Sequence, residues 1–176
     1  MASIIRVDDL QDSGGNSIVS SNGSGTVTVG NNALKNTPSF QANAGSTDQT
    51  IAHNTWVKVN LGTENFDTDS AFASNKFTVP AGEGGKYMFG YGVAFNNLDD
   101  QEKLQIRLYK NGSGVDSTQN RVIGSRDNQL YFVQATQVLV LSASDYIELY
   151  MMHEEGGSED TRAQYVFLYG YKLIGV

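Results

Sequence analysis

Tyr87, Phe89, Tyr91 and Val93 fall at every second position of the chain, with Gly90 and Gly92 between them. In an extended strand successive side chains leave from opposite faces, so this spacing puts the bulk on one face and leaves the other nearly bare. Glycine weakens a strand interior unless something approaches it closely, so the pattern predicts a central strand tightly packed on its bare side. Val79-Pro80-Ala81-Gly82 and Gly84-Gly85 supply the break and turn that precede it. Trp56–Leu61 alternates in the same way. Leu104, Ile106 and Leu108 alternate with Gln105, Arg107 and Tyr109 ahead of Lys110-Asn111-Gly112-Ser113-Gly114, whose residues tolerate the positive φ of a hairpin turn. Leu130–Leu141 and Tyr146–Met152 are further β runs, and Gln164–Ile174 closes with Tyr165, Phe167, Tyr169 and Tyr171 on one face. Strand signals at near-regular spacing, about eight to ten of them, predict an antiparallel all-β sandwich or jelly roll.

Residues 1–36 follow a different pattern. Three short strand candidates, Ser3–Val7, Ser17–Ser20 and Thr26–Val29, are separated by the turn clusters Asp12-Ser-Gly-Gly-Asn16 and Ser20-Ser-Asn-Gly-Ser-Gly25. Pieces this small have no core of their own. They read either as a flexible tail or, the favoured reading, as an extended N-terminal arm, residues 1–36 with its linker, that becomes ordered by adding strands to a neighbouring molecule. Its candidate anchoring residues are Ile4, Ile5, Val7, Leu10, Ile18, Val19, Val27 and Val29. The main domain is expected over residues 37–176, opening at Pro38, which suits the start of an edge strand.

Charge and composition narrow the chemistry. A net charge of −7 with no basic run argues against a nucleic-acid surface. The absence of cysteine excludes disulfides and thiolate chemistry. Met1-Ala-Ser-Ile-Ile-Arg6 has no apolar run of signal-peptide length and nothing approaches a membrane span, so a soluble protein made in the cytoplasm and without membrane attachment is expected. His53 and His153 lie in turn-like contexts without a second ligand at metal spacing, which reads as exposed loop histidines. Asp67, Asp69, Asp99 and Asp100 are weak candidates for Ca²⁺, and none of them matches an EF-hand loop. No cofactor is expected, and no nucleophile, base and orienting group converge in the sequence, so the chain reads as non-enzymatic.

With the strands placed, residues from about Thr37 to Val176 resemble the C1q/tumour-necrosis-factor jelly roll. The resemblance is carried by Pro38-Ser-Phe40-x-Ala42, Phe66-Asp67, Phe77-Thr-Val-Pro80, Gly85-Lys-Tyr87-Met-Phe89, Leu108-Tyr-Lys-Asn-Gly112, Asp145-Tyr-Ile-Glu-Leu149 and Phe167-Leu-Tyr-Gly-Tyr171. Ser144-Asp145 stands where the family usually has Gly-Asp, and no collagen-like stalk is present, which argues against a complement or hormone role. The family implies a homotrimer, for which Tyr87, Phe89, Tyr91, Tyr165, Phe167, Tyr169 and Tyr171 are the interface candidates; the pattern leaves open which parity faces the partner. The stretch from Ile4 to Val27 is similar to the N-terminal segment of tailed-bacteriophage virion proteins. Together the two resemblances imply a virion surface protein. The first expectation is a trimeric capsid decoration, or cement, protein held by its arm on the major capsid protein or another virion protein. The alternative is a tail-fibre or receptor-binding tip that recognises a host surface glycan or protein.

Overall fold

The computed structural model describes residues 8–29, 37–154 and 156–174. The chain divides into two compact units, one running up to Asn36 and the other beginning at Thr37.

In the N-terminal unit, strands β1 (Asp9–Gln11), β2 (Ser17–Ser21) and β3 (Val27–Val29) form an antiparallel sheet in the order β1-β2-β3. The expectation of an extended arm is therefore corrected, because these strands pair with one another. The cause is local. Asp12 Oδ1 accepts from the amides of Gly14 and Asn16 at 2.8 and 2.9 Å, and Asn22 Oδ1 does the same for Ser24 and Thr26 at 2.8 and 3.1 Å. Each turn cluster thus contains an Asx residue, Asp12 or Asn22, whose side chain reverses the chain. The register sets Leu10 opposite Val19 and Val19 opposite Val29, so these three share a face. Ser3–Val7, the first expected strand, lies outside the described residues.

The second unit contains β4 (Ser39–Asn43), β5 (Thr50–Ala52), β6 (Val57–Lys58), β7 (Thr63–Asp67), β8 (Phe72–Ala73), β9 (Lys76–Thr78), β10 (Gly85–Leu98) and β11 (Lys103–Lys110). It continues with β12 (Ser113–Gly114), β13 (Asn120–Ile123), β14 (Gln129–Leu141), β15 (Tyr146–His153), β16 (Ser158–Asp160) and β17 (Phe167–Lys172). One sheet runs β14-β10-β17-β4-β7 and the other β12-β11-β15-β9-β8, with β13 paired to β11 and β6 to β15, while β16 and β5 form a small ribbon. All pairings are antiparallel, which makes the unit an all-β sandwich. Several strands beyond the expected number are two- or three-residue pieces, too short to show a period of their own.

The core fills the space between the sheets. Phe40 stacks on Phe72 and Phe77 at centroid distances of 5.0 and 4.8 Å, and Phe77 meets Tyr87 and Phe89 at 5.5 and 6.0 Å. Leu104, Ile106 and Leu108 from β11 and Ile147, Leu149 and Met151 from β15 close the other side, all fully buried. The alternation read in β11 is thus the inward set of this sheet. His153 corrects the expectation of an exposed histidine: it ends β15, is fully buried, and its Nε2 lies 3.1 Å from the Ile51 carbonyl oxygen. His53 is exposed.

Candidate interaction surface

The long strand β10 decides which way the aromatic residues point. Its odd positions face inward, so Tyr87, Phe89 and Tyr91 are 0, 0 and 1 % exposed within the chain's own core. As interface candidates these three are corrected, because their rings already fill the sandwich. Burial pushes the Tyr91 phenol up to about 12, and its hydroxyl donates to the Thr118 carbonyl. Burial also pushes the Tyr87 phenol upward, with Glu83 and Asp69 adding to the effect, and its hydroxyl donates to the Glu83 carbonyl. Both hydroxyls therefore stay protonated and satisfied.

The even positions of β10 face outward, and here β17 supplies what β10 lacks. The register sets Tyr171 beside Met88, Tyr169 beside Gly90 and Phe167 beside Gly92. A side chain on Gly90 would put its Cβ 2.2 Å from Tyr169 Cζ, and one on Gly92 would meet Phe167 and Phe132 at 2.8 and 2.9 Å. The close approach predicted for the bare face is therefore made by rings lying over the two glycines. The arrangement is reciprocal: Phe89 on the core side lies opposite Gly170, where a Cβ would stand 2.6 Å from it. Glycine in one strand makes room for an aromatic ring in the other, in both directions across the sheet.

Phe167 and Tyr169 stack at 6.0 Å, Phe167 lies 6.3 Å from Phe132, and Phe132 lies 6.3 Å from Tyr165 in the short 3₁₀ turn Ala163–Tyr165. Tyr171 donates to Met88 Sδ at 3.1 Å. The edge strand β14 adds Val138 and Val140, exposed at 48 and 70 %, and β7 adds Phe66 at 47 %. Among the outward positions of β14, β10, β17 and β4, Lys86 is the one charged residue. The face is almost without charge and mixes these apolar residues with the uncharged Ser39, Gln41, Asn43, Gln134 and Thr136, a composition that suits a protein interface. Val138, Val140 and Phe66 were missing from the candidate residues. Val138 and Val140 stand on a run whose strand was visible, without any sign of which face another element would cover, whereas Phe66 lies in a stretch that reads as a polar turn and forms part of β7.

The arm candidates divide. Leu10, Ile18 and Val27 are exposed, Val19 and Val29 are half-buried, and Ile4, Ile5 and Val7 lie outside the described residues. The acidic candidates are engaged in shaping loops. Asp67 Oδ2 accepts from the Phe72 amide at 2.7 Å, Asp69 Oδ2 accepts from the Thr68 hydroxyl at 2.6 Å, and Asp99 Oδ1 accepts from the Asn128 amide at 2.8 Å. Asp100 Oδ1 accepts from Gln101 Nε2 at 3.1 Å. Among the described residues, no group of three or more His, Asp or Glu side chains could hold a metal ion, and no helix is long and apolar enough to cross a membrane.

No protein-family model and no curated protein matches the chain. Solved structures do match. The globular domain of zebrafish complement 1qA superposes with a TM-score of 0.58 at 16 % identity, covering 77 % of this chain and 97 % of that one. The Eiger TNF of S. frugiperda gives 0.58 at 11 % identity, covering 78 % of this chain and 93 % of that one. Murine APRIL at pH 5.0 gives 0.53 at 13 % identity, covering 77 % and 98 %. At such low identity the likeness speaks for fold alone, and that fold is the C1q/TNF-like jelly roll.

Proposed function

We propose that the chain is a non-enzymatic virion surface protein of a tailed bacteriophage, a homotrimer whose subunits meet through the outer face of the five-stranded sheet. The observation that carries the trimer is the ring- and valine-bearing face of Phe167, Tyr169, Val138, Val140 and Phe66, on which Lys86 is the one charge of β14, β10, β17 and β4. A monomer gains nothing by leaving that surface in water, and a closed rotational assembly buries it without leaving a free copy of the patch. The virion role rests on the similarity of the N-terminal segment to phage virion proteins. In this role residues 1–36 hold the trimer on the capsid shell, through the apolar face of the small sheet and through its two strand edges. Such a decoration protein acts by mass action, since whatever binds only the assembled lattice stabilises it.

Co-sedimentation tests the proposal. The full chain and a version lacking residues 1–36 are mixed with purified capsids that lack the protein and, separately, with host cells. Capsid binding that depends on residues 1–36 is the expected result. Binding to cells that survives removal of the arm would contradict it and make the protein a receptor-binding tip.

A further inference from the structure

We infer that the outer face of the other sheet carries a saccharide-binding site centred on Trp56, Arg107 and Asp116. This site goes beyond the proposed function, since it requires neither a trimer nor a virion. Arg107 and Tyr109 are outward neighbours on β11, and Tyr150 stands opposite Arg107 on β15. The Arg107 guanidinium lies 4.4 Å from the Trp56 ring and 4.9 Å from that of Tyr109, and Tyr109 stacks on Tyr150 at 3.7 Å. Nη1 pairs with Asp116 Oδ1 at 2.9 Å, Nη2 donates to the Tyr109 hydroxyl at 2.9 Å, and the buried Nε has no acceptor. Gly114 leaves the space the guanidinium occupies, because a Cβ there would come within 2.4 Å of Arg107 Cζ. The rings are therefore fixed in place before any ligand arrives, which lowers the entropic cost of binding.

Beside this platform is a groove of about 360 Å³ lined by Asp116, Gln119, Asn120 and Arg121, within the size range of small-molecule sites. Arg121 stands opposite Gln105 on the neighbouring strand, so it faces the same side as Arg107. Asp116 belongs to both parts: one oxygen holds Arg107, while the side chain is 91 % exposed. A pyranose ring has an apolar face of C–H groups that stacks on an aromatic ring and a rim of hydroxyls that planar side chains grip in pairs. Aromatic rings next to the exposed Asp116 carboxylate and the Arg121 guanidinium match both halves of that chemistry, while the Gln119 and Asn120 amides shape the groove by donating to Gln105 Oε1 and the Gln134 carbonyl at 2.7 Å each. A protein partner suits this face less well, because its charges are already paired within the chain, Lys58 with Glu148 and Lys103 with Glu154 among them.

The chain's single tryptophan is Trp56, so its emission reads the site directly. The full-length protein is titrated with cellohexaose, mannohexaose, chitohexaose and hexagalacturonate, each up to about 10 mM. A saturable change in Trp56 emission with at least one of them is expected. Asp116→Ala and Gly114→Ala should each weaken it about tenfold while the thermal unfolding midpoint stays within a few degrees of the parent. No change with any of the four, or a change that both variants leave intact, overturns the site. An emission change produced by purified capsids and by none of the sugars would overturn it too, assigning the face to a protein.

Discussion

The two sheets of the sandwich share one core and have opposite exteriors. The seven-stranded sheet faces outward with ion pairs, Lys58–Glu148 at 2.9 Å, Lys103–Glu154 at 2.6 Å and Arg107–Asp116 at 2.9 Å. The outward positions of β14, β10, β17 and β4 carry rings over glycines and Lys86 as their one charge, while the Lys172–Glu83 pair at 2.9 Å sits at the end of β17. Partly exposed ion pairs contribute little to stability each, so their concentration on one face marks where water is kept. Interface cores are depleted in charge and enriched in aromatic residues, and the other face has that composition. Two sheets built from the same alternation thus have different exteriors, and the difference lies in the outward parity.

The largest expected effect comes from charging the apolar face. Val138→Asp with Val140→Asp should turn a trimer into monomers in light scattering, while the isolated subunit loses no more than about 1 kcal/mol because both side chains are exposed. A folded trimer surviving this double change would break the comparison. Filling the glycine seam comes next. Gly90→Ala sets a Cβ against the Tyr169 ring and should cost about 2 to 3 kcal/mol in denaturant unfolding, by overpacking.

In the turn that leads into β15 the effects are smaller and depend on pH. Hydrogen bonds from Lys110 and Asn111 and from the Ser142 amide hold the Asp145 carboxyl down at about 2. Its folded value lies below its unfolded one, so its contribution is fully present above the ordinary carboxylate value and is lost as pH falls through about 2. Asp145→Asn should therefore cost about 1 kcal/mol near neutral pH, a figure discounted for solvent screening, and the gap between parent and variant should close on acidification to about pH 2. A gap that persists unchanged in acid would show that the charge is not the cause. The smallest effect is a gain. Ser144 sits at φ 71°, in the left-handed region, at the position where the resembling family usually has glycine. Ser144→Gly should stabilise by about 0.5 kcal/mol, strain relief outweighing the added chain entropy.

How much of this was legible in the sequence follows from what alternation encodes. The period of β11 gave its strand and its inward residues, since Leu104, Ile106 and Leu108 differ plainly from their neighbours. In β10 the period was equally clear, and the bare face did predict a close approach. Tyr87, Phe89 and Tyr91 could nevertheless not be separated from Phe167, Tyr169 and Tyr171, because parity is settled by the register between strands some 80 residues apart. In the arm, both turn clusters were visible, yet whether Asp12 and Asn22 would reverse the chain depended on side-chain bonds to amides two and four residues on. The Trp56–Arg107–Asp116 cluster was hidden for a different reason. Its members come from three separate segments, and only the Arg107–Tyr109 spacing hinted that Arg107 shares a face with an aromatic ring.

The most direct test of the account is the mass of the full-length protein in solution, measured by sedimentation velocity at micromolar concentration. A single species of three times the chain mass is expected, falling to one chain mass in the Val138→Asp, Val140→Asp variant. A parent protein that sediments as a monomer would contradict it, and the outer face of the five-stranded sheet would then have to be explained without a second copy.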